Sequence, residues 1–340
     1  MELPIPYALF LGEADQLSAK TATGIAYWRP ERCVAQLTMP GCSADLGLPT
    51  LSPAAAVAVG ARLLIVGVAE FGGRISPAWV PTLVDALEAG LDLAAGLHEQ
   101  LAGVPALAQA ARRLGRRLYD VRQPRAGQTS IATGVRRPGR RLLTVGTDCA
   151  VGKMFSSLAI EAELRRRGVA ATFRATGQTG ILISGSGVSV DAVVSDFVAG
   201  AAELLSPANR PEHWDVIEGQ GSLHHPAYAG VTLGLIHGSQ PDALVLCHRM
   251  DLDHLDGYAN YPTPTIETAI AANESAARLT NPQARVIGVS VNTSGASEER
   301  ARTYLSGVEA KLRMPCCDPV RTGVRSLVDR LLDTYRPLPQ

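Results

Sequence analysis

Lysine is scarce in this chain: only three of its 32 basic residues, Lys20, Lys153 and Lys311, are lysines. Acidic residues are equally numerous, so the formal net charge is zero and nothing indicates a nucleic acid or an anionic membrane as a partner. No uninterrupted apolar run approaches the roughly 20 residues needed to span a bilayer. The first residues lack the basic start of a signal peptide. We therefore expect a cytoplasmic protein with neither a nucleic-acid nor a membrane partner.

Metal-binding patterns are also missing. The six cysteines, at positions 33, 42, 149, 247, 316 and 317, never stand in the Cys-x-x-Cys spacing of zinc and redox sites. The histidines at 224, 225, 248 and 254 match neither His-x3-His spacing nor a His-Glu-x-x-His motif. We expect free thiols in a reducing compartment and no metal site. His225 or His248 remains available as a hydrogen-bonding group.

The length of 340 residues suits two domains, each large enough to bury its own core. Residues 1–125 alternate between strand and helix patterns, with strands at 61–68 and 91–95 and helices at 77–89 and 104–115. This alternation predicts a Rossmann-like α/β domain. Its glycines do not form Gly-x-Gly-x-x-Gly, which argues against a dinucleotide site. The polar, turn-rich residues 126–140 follow as a linker.

Residues 141–340 resume the same alternation. Apolar strands are predicted at 169–174, 214–218, 243–247 and 285–291, with helices between them. The pattern predicts an α/β domain with a doubly wound, mostly parallel sheet of the P-loop NTPase-like type. In such sheets, ligands gather at the carboxyl ends of the strands.

The segment 146–154, Gly-Thr-Asp-Cys-Ala-Val-Gly-Lys-Met, lies between an apolar strand at 141–145 and a helical pattern at 155–164. A strand, a glycine-bounded loop, Gly-Lys and a helix make a P-loop, whose amides and lysine cradle a diphosphate or triphosphate. We expect the phosphates to be bound by Gly146, Thr147, Cys149, Ala150, Val151, Gly152, Lys153 and Met154.

Position 154 departs from the usual P-loop. Nucleotide hydrolases carry Ser or Thr there to hold Mg²⁺, whereas the Met154 thioether is a poor ligand for a hard cation. Lys153 fits the need for a compact ammonium in a phosphate cage, in a chain that otherwise uses arginine. The loop is therefore expected to bind phosphates without all the machinery that cleaves them.

Two carboxylates are candidate catalytic groups. Glu218 ends the strand at 214–217 and precedes a glycine-rich turn, which is typical of a Walker-B acid facing the phosphates. Asp148 lies inside the P-loop, where bound phosphates would make it a better proton acceptor and a candidate general base. Alternatively, Asp148 hydrogen-bonds the loop amides and stiffens the turn. Cys149 is either a nucleophile or part of the backbone cradle, and the nearby anions favour the cradle.

The strand at 169–174 ends in Arg174, and a hydroxyl-rich, glycine-bounded loop follows. A guanidinium with neighbouring amides and hydroxyls holds carboxylate or phosphate groups. The candidate substrate-binding residues are Arg174, Thr176, Gln178, Thr179 and His225. Residues 254–264 are predicted to form a long loop over the site.

The P-loop and residues 218–219 resemble the phosphate-binding and metal-facing motifs of dethiobiotin synthetases, except that Cys149 and Met154 replace the usual threonines. A wider resemblance covers nearly the whole chain. It rests on Gly-Leu-Asp at 90–92, Gly-Leu-His at 96–98, the P-loop, and the segments 195–203, 218–222, 237–243 and 292–295.

These motifs resemble the two-domain P-loop family, long of unknown function, that includes D-glutamate N-acetyltransferases of the DgcN type. The resemblance implies a Rossmann-like amino-terminal domain, a P-loop carboxyl-terminal domain, acetyl-CoA as co-substrate, and an acidic amino acid, D-glutamate first, as acceptor in D-amino-acid catabolism. It also implies a homo-oligomer, with a dimer favoured.

A chemical expectation follows for the two carboxylates and the loop. The P-loop would hold the coenzyme A diphosphate without a metal, while Asp148, and secondarily Glu218, would take the proton from the acceptor amine. Two alternatives stay open. One is an ATP- and Mg²⁺-dependent kinase or ligase of the dethiobiotin-synthetase type, and the other is a non-catalytic nucleotide- or CoA-binding protein.

Overall fold

The computed structural model describes residues 3–16, 18–68, 73–124, 127 and 130–335. The chain divides into two compact units. The first comprises Met1–Pro124 with Gly177–Ala192, and the second comprises Arg125–Thr176 with Val193–Gln340. The segment Gly177–Ala192 thus packs with the first unit although a strand of the second unit precedes it in sequence.

The elements of the first half of the chain are β1 (Tyr7–Gly12), α1 (Lys20–Trp28), β2 (Cys33–Thr38), α2 (Pro53–Ala58), β3 (Leu63–Val66), α3 (Val80–Ala89), β4 (Asp92–Ala95), α4 (Pro105–Leu114) and β5 (Leu118–Asp120). Those of the second half are β6 (Arg140–Gly146), α5 (Lys153–Arg166), β7 (Ala171–Arg174), α6 (Gln178–Ser184), α7 (Val198–Leu205), β8 (Trp214–Ile217), α8 (Ala229–Ser239), β9 (Ala243–Arg249), β10 (His254–Leu255), β11 (Tyr258–Pro262), α9 (Ile266–Arg278), β12 (Arg285–Asn292), α10 (Glu298–Leu312), β13 (Cys316–Cys317) and α11 (Arg325–Thr334).

Each unit contains one parallel sheet. The first has the strand order β2-β1-β3-β4-β5, and the second has the order β13-β12-β9-β6-β8-β7. Every residue of β1 and β3 is buried, as expected for central strands of a parallel sheet that is covered on both faces. The predicted class, a Rossmann-like α/β unit and a P-loop α/β unit, is confirmed. The apolar stretches of the described helices all fall short of what a bilayer crossing requires.

The helix boundaries follow local chemistry. Ser297 caps α10 and Thr265 caps α9, each through a side-chain oxygen that accepts from the amide three residues later. Helices α3 and α4 end at Gly90 and Gly115, which take the left-handed conformation that glycine adopts without strain.

Two sequence-based boundaries were wrong. The helix predicted at 77–89 begins only at Val80, because Pro81, rather than Pro77, occupies its first turn. Residues 254–264, predicted as a long loop, contain the antiparallel hairpin β10–β11. All five residues of β11 are exposed, so the apolar patterning that identifies buried strands is missing there.

Most of the predicted linker, residues 126–140, packs on the second unit; residues 126, 128 and 129 lie outside the described residues. Arg137 donates to the carbonyl oxygens of Ser206 and Gly238 at 2.9 Å each. A Cβ on Gly200 would lie 1.7 Å from the carbonyl oxygen of Ser130, so α7 approaches this segment closely. These contacts fix the backbone that leads into β6.

Candidate functional site

The P-loop joins the end of β6 to the start of α5. Ala150 and Gly152 have φ angles of 51° and 98°, which turn successive amides toward the same side of the loop. The amides of residues 150–154 donate to no acceptor in the described part of the chain. Unpaired amides at a helix start, together with the helix dipole, form an anion cradle. The geometry therefore fits the phosphate-binding prediction for Ala150, Val151, Gly152, Lys153 and Met154.

Lys153 is buried inside this loop, and its Nζ donates to the carbonyl oxygen of Asp148 at 2.7 Å. Burial lowers the pKa of the Lys153 ammonium, because the charge has lost its hydration. A bound diphosphate would supply the missing countercharge.

Two glycines allow the backbone to close around the loop. A Cβ on Gly146 would lie 2.9 Å from the carbonyl oxygen of Asp148, and a Cβ on Gly219 would lie 1.7 Å from the carbonyl oxygen of Thr144. The amide of Gly219 also donates to Thr144 Oγ1 at 3.0 Å. The turn after β8 is thus held against the P-loop strand by a contact that only glycine allows.

We expect Gly219→Ala to destabilise the protein by about 4 kcal/mol or more, because the backbone of β6 would have to move. Gly307→Ala is the matched control: Gly307 is exposed in the middle of α10, and a Cβ added there would meet no other atom within 4 Å. Alanine at position 307 should therefore stabilise the protein by about 1 kcal/mol. Urea unfolding of both variants measures the two effects. Equal stability of the two variants would contradict the close-approach argument.

Asp148 is fully buried, and both of its carboxylate oxygens accept from backbone amides. Oδ1 accepts from Cys149 N and Oδ2 from Asp256 N, each at 2.7 Å. The second bond links the P-loop to the hairpin β10–β11. Asp148 therefore makes the hydrogen bonds to backbone amides that are expected if it stiffens the turn. Its role as a general base stays a prediction.

Glu218 is buried directly beyond the end of β8. Its Oε2 accepts from Thr176 N at 2.9 Å, and the Thr176 hydroxyl donates to the Glu218 carbonyl oxygen at 2.8 Å. The Gln220 side-chain amide donates to both residues, at 3.2 Å to Thr176 Oγ1 and 3.3 Å to Glu218 Oε1. The structure thus brings together a predicted catalytic residue and a predicted substrate-binding residue. Gln220, which the sequence did not single out, completes the network.

Cys149, Asp148 and His225 converge, with one ligand-type atom from each lying within 4.8 Å of the others. Burial raises the pKa of the Cys149 thiol, and Lys153 only partly opposes this rise. The thiol therefore stays protonated, which favours a role for Cys149 in the backbone cradle over a role as the nucleophile. A metal ion bound to this cluster would have to displace hydrogen bonds that Asp148 and His225 already make.

His225 fixes the other side of the hairpin. Its Nδ1 accepts from Ala227 N at 3.2 Å, so Nε2 carries the proton and donates to the Asp256 carbonyl oxygen at 3.1 Å. The ring stacks on Tyr228 with centroids 4.7 Å apart. Asp256 is thus held at its amide by Asp148 and at its carbonyl by His225.

Thr147 and His248 meet beneath the loop, with Thr147 Oγ1 and His248 Nδ1 3.0 Å apart. The prediction of His248 as a hydrogen-bonding residue agrees with this contact. Burial lowers the pKa of His248 from 6.5 to about 4. The imidazole is therefore neutral at physiological pH and supports the loop without adding positive charge.

This pKa shift predicts acid sensitivity. Between pH 6.5 and about 4, the unfolded chain binds a proton at position 248 that the folded chain does not, so stability falls as the pH falls through this window. The loss should approach about 3 kcal/mol. Urea unfolding at several pH values should show a flatter profile for His248→Gln, and His254→Gln, which removes an exposed histidine, should leave the profile unchanged. Parallel profiles for His248→Gln and the parent would contradict this assignment.

The remaining predicted substrate-binding residues fall into both units. Arg174 ends β7, and its Nε donates to the buried Asp215 at 2.8 Å. Gln178 and Thr179 begin α6 and belong to the first unit. Thr179 Oγ1 lies 3.3 Å from Thr21 Oγ1, and a Cβ on Gly96 would lie 2.7 Å from Gln178 Cβ. The Gly-Leu-His motif at 96–98 therefore packs against α6.

A cavity of about 430 Å³ opens beside the start of α5. Val151, Phe155 and Pro319 provide apolar walls, and Asn292 stands at the end of β12. The Asn292 side-chain oxygen accepts from Ser294 N at 2.9 Å, which leaves its NH₂ group for another partner. The sequence did not predict this cavity, although the Asn-Thr-Ser-Gly motif at 292–295 forms part of one wall.

Comparison with known proteins identifies relatives along almost the whole length. A D-glutamate N-acetyltransferase of Tritonibacter scottomollicae is 51% identical over 327 residues, which are 96% of this chain and 98% of that protein. A D-glutamate N-acetyltransferase of a Pseudoalteromonas species is 47% identical over 332 residues, which are 97% of this chain and 100% of that protein.

The crystal structure of a DUF1611 family protein from Anabaena variabilis superimposes with a TM-score of 0.86 at 34% identity, and covers 97% of this chain and 100% of that one. Residues 130–328 match a domain of unknown function described as the DUF1611_C P-loop domain, and residues 37–124 match the DUF1611_N Rossmann-like domain. The chain therefore belongs to the DUF1611 family.

Proposed function

We propose that this protein is an N-acetyltransferase that moves an acetyl group from acetyl-CoA to the amine of D-glutamate. The observation that carries the proposal is the near-complete match to two relatives bearing the name D-glutamate N-acetyltransferase, at 51% and 47% identity. The P-loop supports it independently, since it has free amides and a buried lysine but no hydroxyl at position 154.

The donor is proposed to bind through its diphosphate. Amides 150–154 and the Lys153 ammonium would hold the two phosphates, and Gly146, Thr147 and Cys149 shape the loop. The neighbouring cavity of about 430 Å³ is large enough for an adenosine group, with Phe155 and Val151 as apolar contacts and Asn292 as a polar one. No residue in this arrangement needs a metal ion.

The chemistry requires a neutral amine at the thioester. We propose that Asp148, and secondarily Glu218, accepts a proton from the acceptor's ammonium group. The neutral amine nitrogen then forms a bond to the acetyl carbon and loses its second proton as the carbon–sulfur bond breaks. Coenzyme A leaves as the thiolate, which takes up that proton. Backbone amides near the loop would stabilise the oxyanion of the tetrahedral intermediate.

The acceptor is proposed to be held by Arg174 and Thr176 of the second unit. His225 uses both ring nitrogens, for Ala227 N and the Asp256 carbonyl oxygen, and is proposed to order the hairpin. Gln178 and Thr179 stay sequence-based predictions. Arg174 uses its Nε for Asp215, which leaves its two terminal NH₂ groups for a carboxylate. The free thiols of all six cysteines support a reducing, cytoplasmic setting. A homodimer remains our expectation for the oligomer.

The test is an assay of the purified protein with acetyl-CoA and either D- or L-glutamate. Thiol release and the mass of the acetylated product are measured, and reactions without acceptor serve as controls. Product from D-glutamate with acetyl-CoA, unaffected by a chelator, supports the proposal. Turnover that requires ATP and Mg²⁺ would instead establish a kinase or ligase. Binding of acetyl-CoA without turnover of either enantiomer would leave only a binding protein.

A further inference from the structure

The first unit contains a cavity of about 760 Å³. It follows the amino ends of the strands, opposite to the edge where parallel sheets usually bind their ligands. Three guanidinium groups line it, from Arg32, Arg62 and Arg117, against one carboxylate, Asp92. The cavity is therefore a concentration of positive charge in a protein whose overall charge is zero.

The arginines occupy equivalent positions in the fold. Arg32 directly precedes β2, Arg62 precedes β3 and Arg117 precedes β5, while Asp92 is the first residue of β4. Because neighbouring parallel strands begin at the same edge of the sheet, these side chains share one side of the cavity. The arrangement spans the whole width of the five-stranded sheet.

The side chains of Arg62 and Arg117 are largely uncommitted. Both residues are exposed, and neither guanidinium makes a hydrogen bond or ion pair within the described part of the chain. Arg32 pairs with Glu31 at 3.6 Å, and its guanidinium also lies beside the Tyr7 hydroxyl. Asp92 accepts from the amide of Arg117 at 2.9 Å, so its carboxylate is partly engaged with backbone. Planar guanidinium groups are suited to paired oxygens of carboxylates and phosphates.

A buried hydroxyl supplies a second, independent observation. Tyr7 is the first residue of β1. This strand lies between β2, which follows Arg32, and β3, which follows Arg62. The Tyr7 side chain is 0% exposed and lines the cavity. Its hydroxyl makes no hydrogen bond of normal geometry among the described residues, although the neighbouring Arg32 guanidinium partly opposes the rise in the hydroxyl's pKa that burial causes. A buried polar group without a well-formed hydrogen bond carries an energetic cost that a bound ligand can remove.

We propose that this cavity binds a small polyvalent anion, one with at least two negative charges on phosphate or carboxylate oxygens. Arg62 and Arg117 contact the charged oxygens, and the Tyr7 hydroxyl donates a hydrogen bond to one of them. The site shares no residue with the P-loop and is independent of the proposed acetyl transfer.

We test the proposal by calorimetric titration of the full chain with pyrophosphate and with citrate. The two ligands show whether the site prefers phosphate or carboxylate oxygens. Sodium chloride at equal ionic strength is the reference. Arg62→Gln and Arg117→Gln should each weaken binding about tenfold. Arg112→Gln is the control, since Arg112 is exposed on α4 of the same unit and, within the residues that the structure describes, donates only to Ala108 of its own helix. The same titrations in Lys153→Gln remove the contribution of the P-loop.

Tyr7→Phe adds a readout that a purely structural role would not produce. Without anion, its melting temperature should stay close to that of the parent, because the hydroxyl makes no hydrogen bond of normal geometry and only neighbours Arg32 among the described residues. With anion, its affinity should fall several-fold. Binding that survives both arginine substitutions, or that disappears in Lys153→Gln alone, would overturn the proposal. A marked loss of stability of Tyr7→Phe without anion would overturn the role of the hydroxyl.

Discussion

Asp148→Asn is expected to lower kcat for acetyl transfer by at least about a hundredfold, because positioned general bases contribute roughly 10² to 10⁴ in rate. The affinity for coenzyme A should change much less, since the diphosphate is held by amides 150–154 and Lys153. The measurements are kcat with D-glutamate at saturating acetyl-CoA and the Kd for coenzyme A. Turnover comparable to that of the parent would refute the assignment of the base.

The substitution also affects the structure. Both carboxylate oxygens accept from amides, and an asparagine offers only one acceptor oxygen, so one N–H would face the new NH₂ group. Leaving one buried donor unsatisfied should cost about 1–3 kcal/mol of stability. A fall in kcat could therefore arise from a displaced hairpin rather than from a lost base.

His225→Phe is the matched control for this ambiguity. It removes the hydrogen bond from His225 to the carbonyl oxygen of Asp256, whereas Asp148 binds the amide of the same residue. The phenylalanine ring can still stack on Tyr228. If positioning of the hairpin is all that matters, the two variants should lose kcat to the same extent. If Asp148 is the base, Asp148→Asn should lose far more kcat than His225→Phe.

The central features of the second unit could be predicted from sequence because each has a local signal. The P-loop has fixed glycine and lysine spacing, and the strands at 214–217 and 243–249 are apolar runs of the expected length. Glu218 follows from its position at a strand end. Because the carboxyl ends of parallel strands lie at one edge of the sheet, the topology also predicted that Glu218, after β8, would lie close to the loop after β7.

The rest depends on contacts distant in sequence. The bond from the Asp256 amide to Asp148 spans 108 positions, and the hairpin carrying it has an exposed strand without apolar alternation. The placement of α6 in the first unit depends on the close packing of Gln178 on Gly96, which no local pattern announces. The arginines of the large cavity stand 30 or more positions apart, and only the order of the sheet brings them together.

Lys153→Gln is expected to weaken the binding of acetyl-CoA by roughly tenfold to a hundredfold, the range that corresponds to loss of a charge-assisted hydrogen bond. Unusually for a buried residue, the change should not destabilise the fold. Burial already lowers the pKa of this ammonium, so the folded protein bears a cost for the charge, and a neutral amide that can still donate to the Asp148 carbonyl relieves it. Thermal unfolding without ligand should show a melting temperature at or above that of the parent.

The ligand series shows whether Lys153 acts on the diphosphate. Coenzyme A and ADP should both bind more weakly to Lys153→Gln, whereas S-acetylpantetheine, which lacks the diphosphate, should react equally well with both proteins. Lys311→Gln is the control, because it removes an exposed ammonium of the same unit that pairs with Glu267. Equal weakening for S-acetylpantetheine would place the lysine at the thioester and contradict the phosphate cradle.

The pH dependence of the same binding provides a further check on Lys153. The diphosphate prefers the charged ammonium, which in the free protein loses its proton at a lower pH than an ordinary lysine. Affinity for coenzyme A should therefore decline as the pH rises through that lowered pKa, with proton uptake accompanying binding. Lys153→Gln should lack this decline, since its amide does not titrate. A decline of equal size in the variant would mean that another group carries the pH dependence and that the ammonium is not the diphosphate's partner.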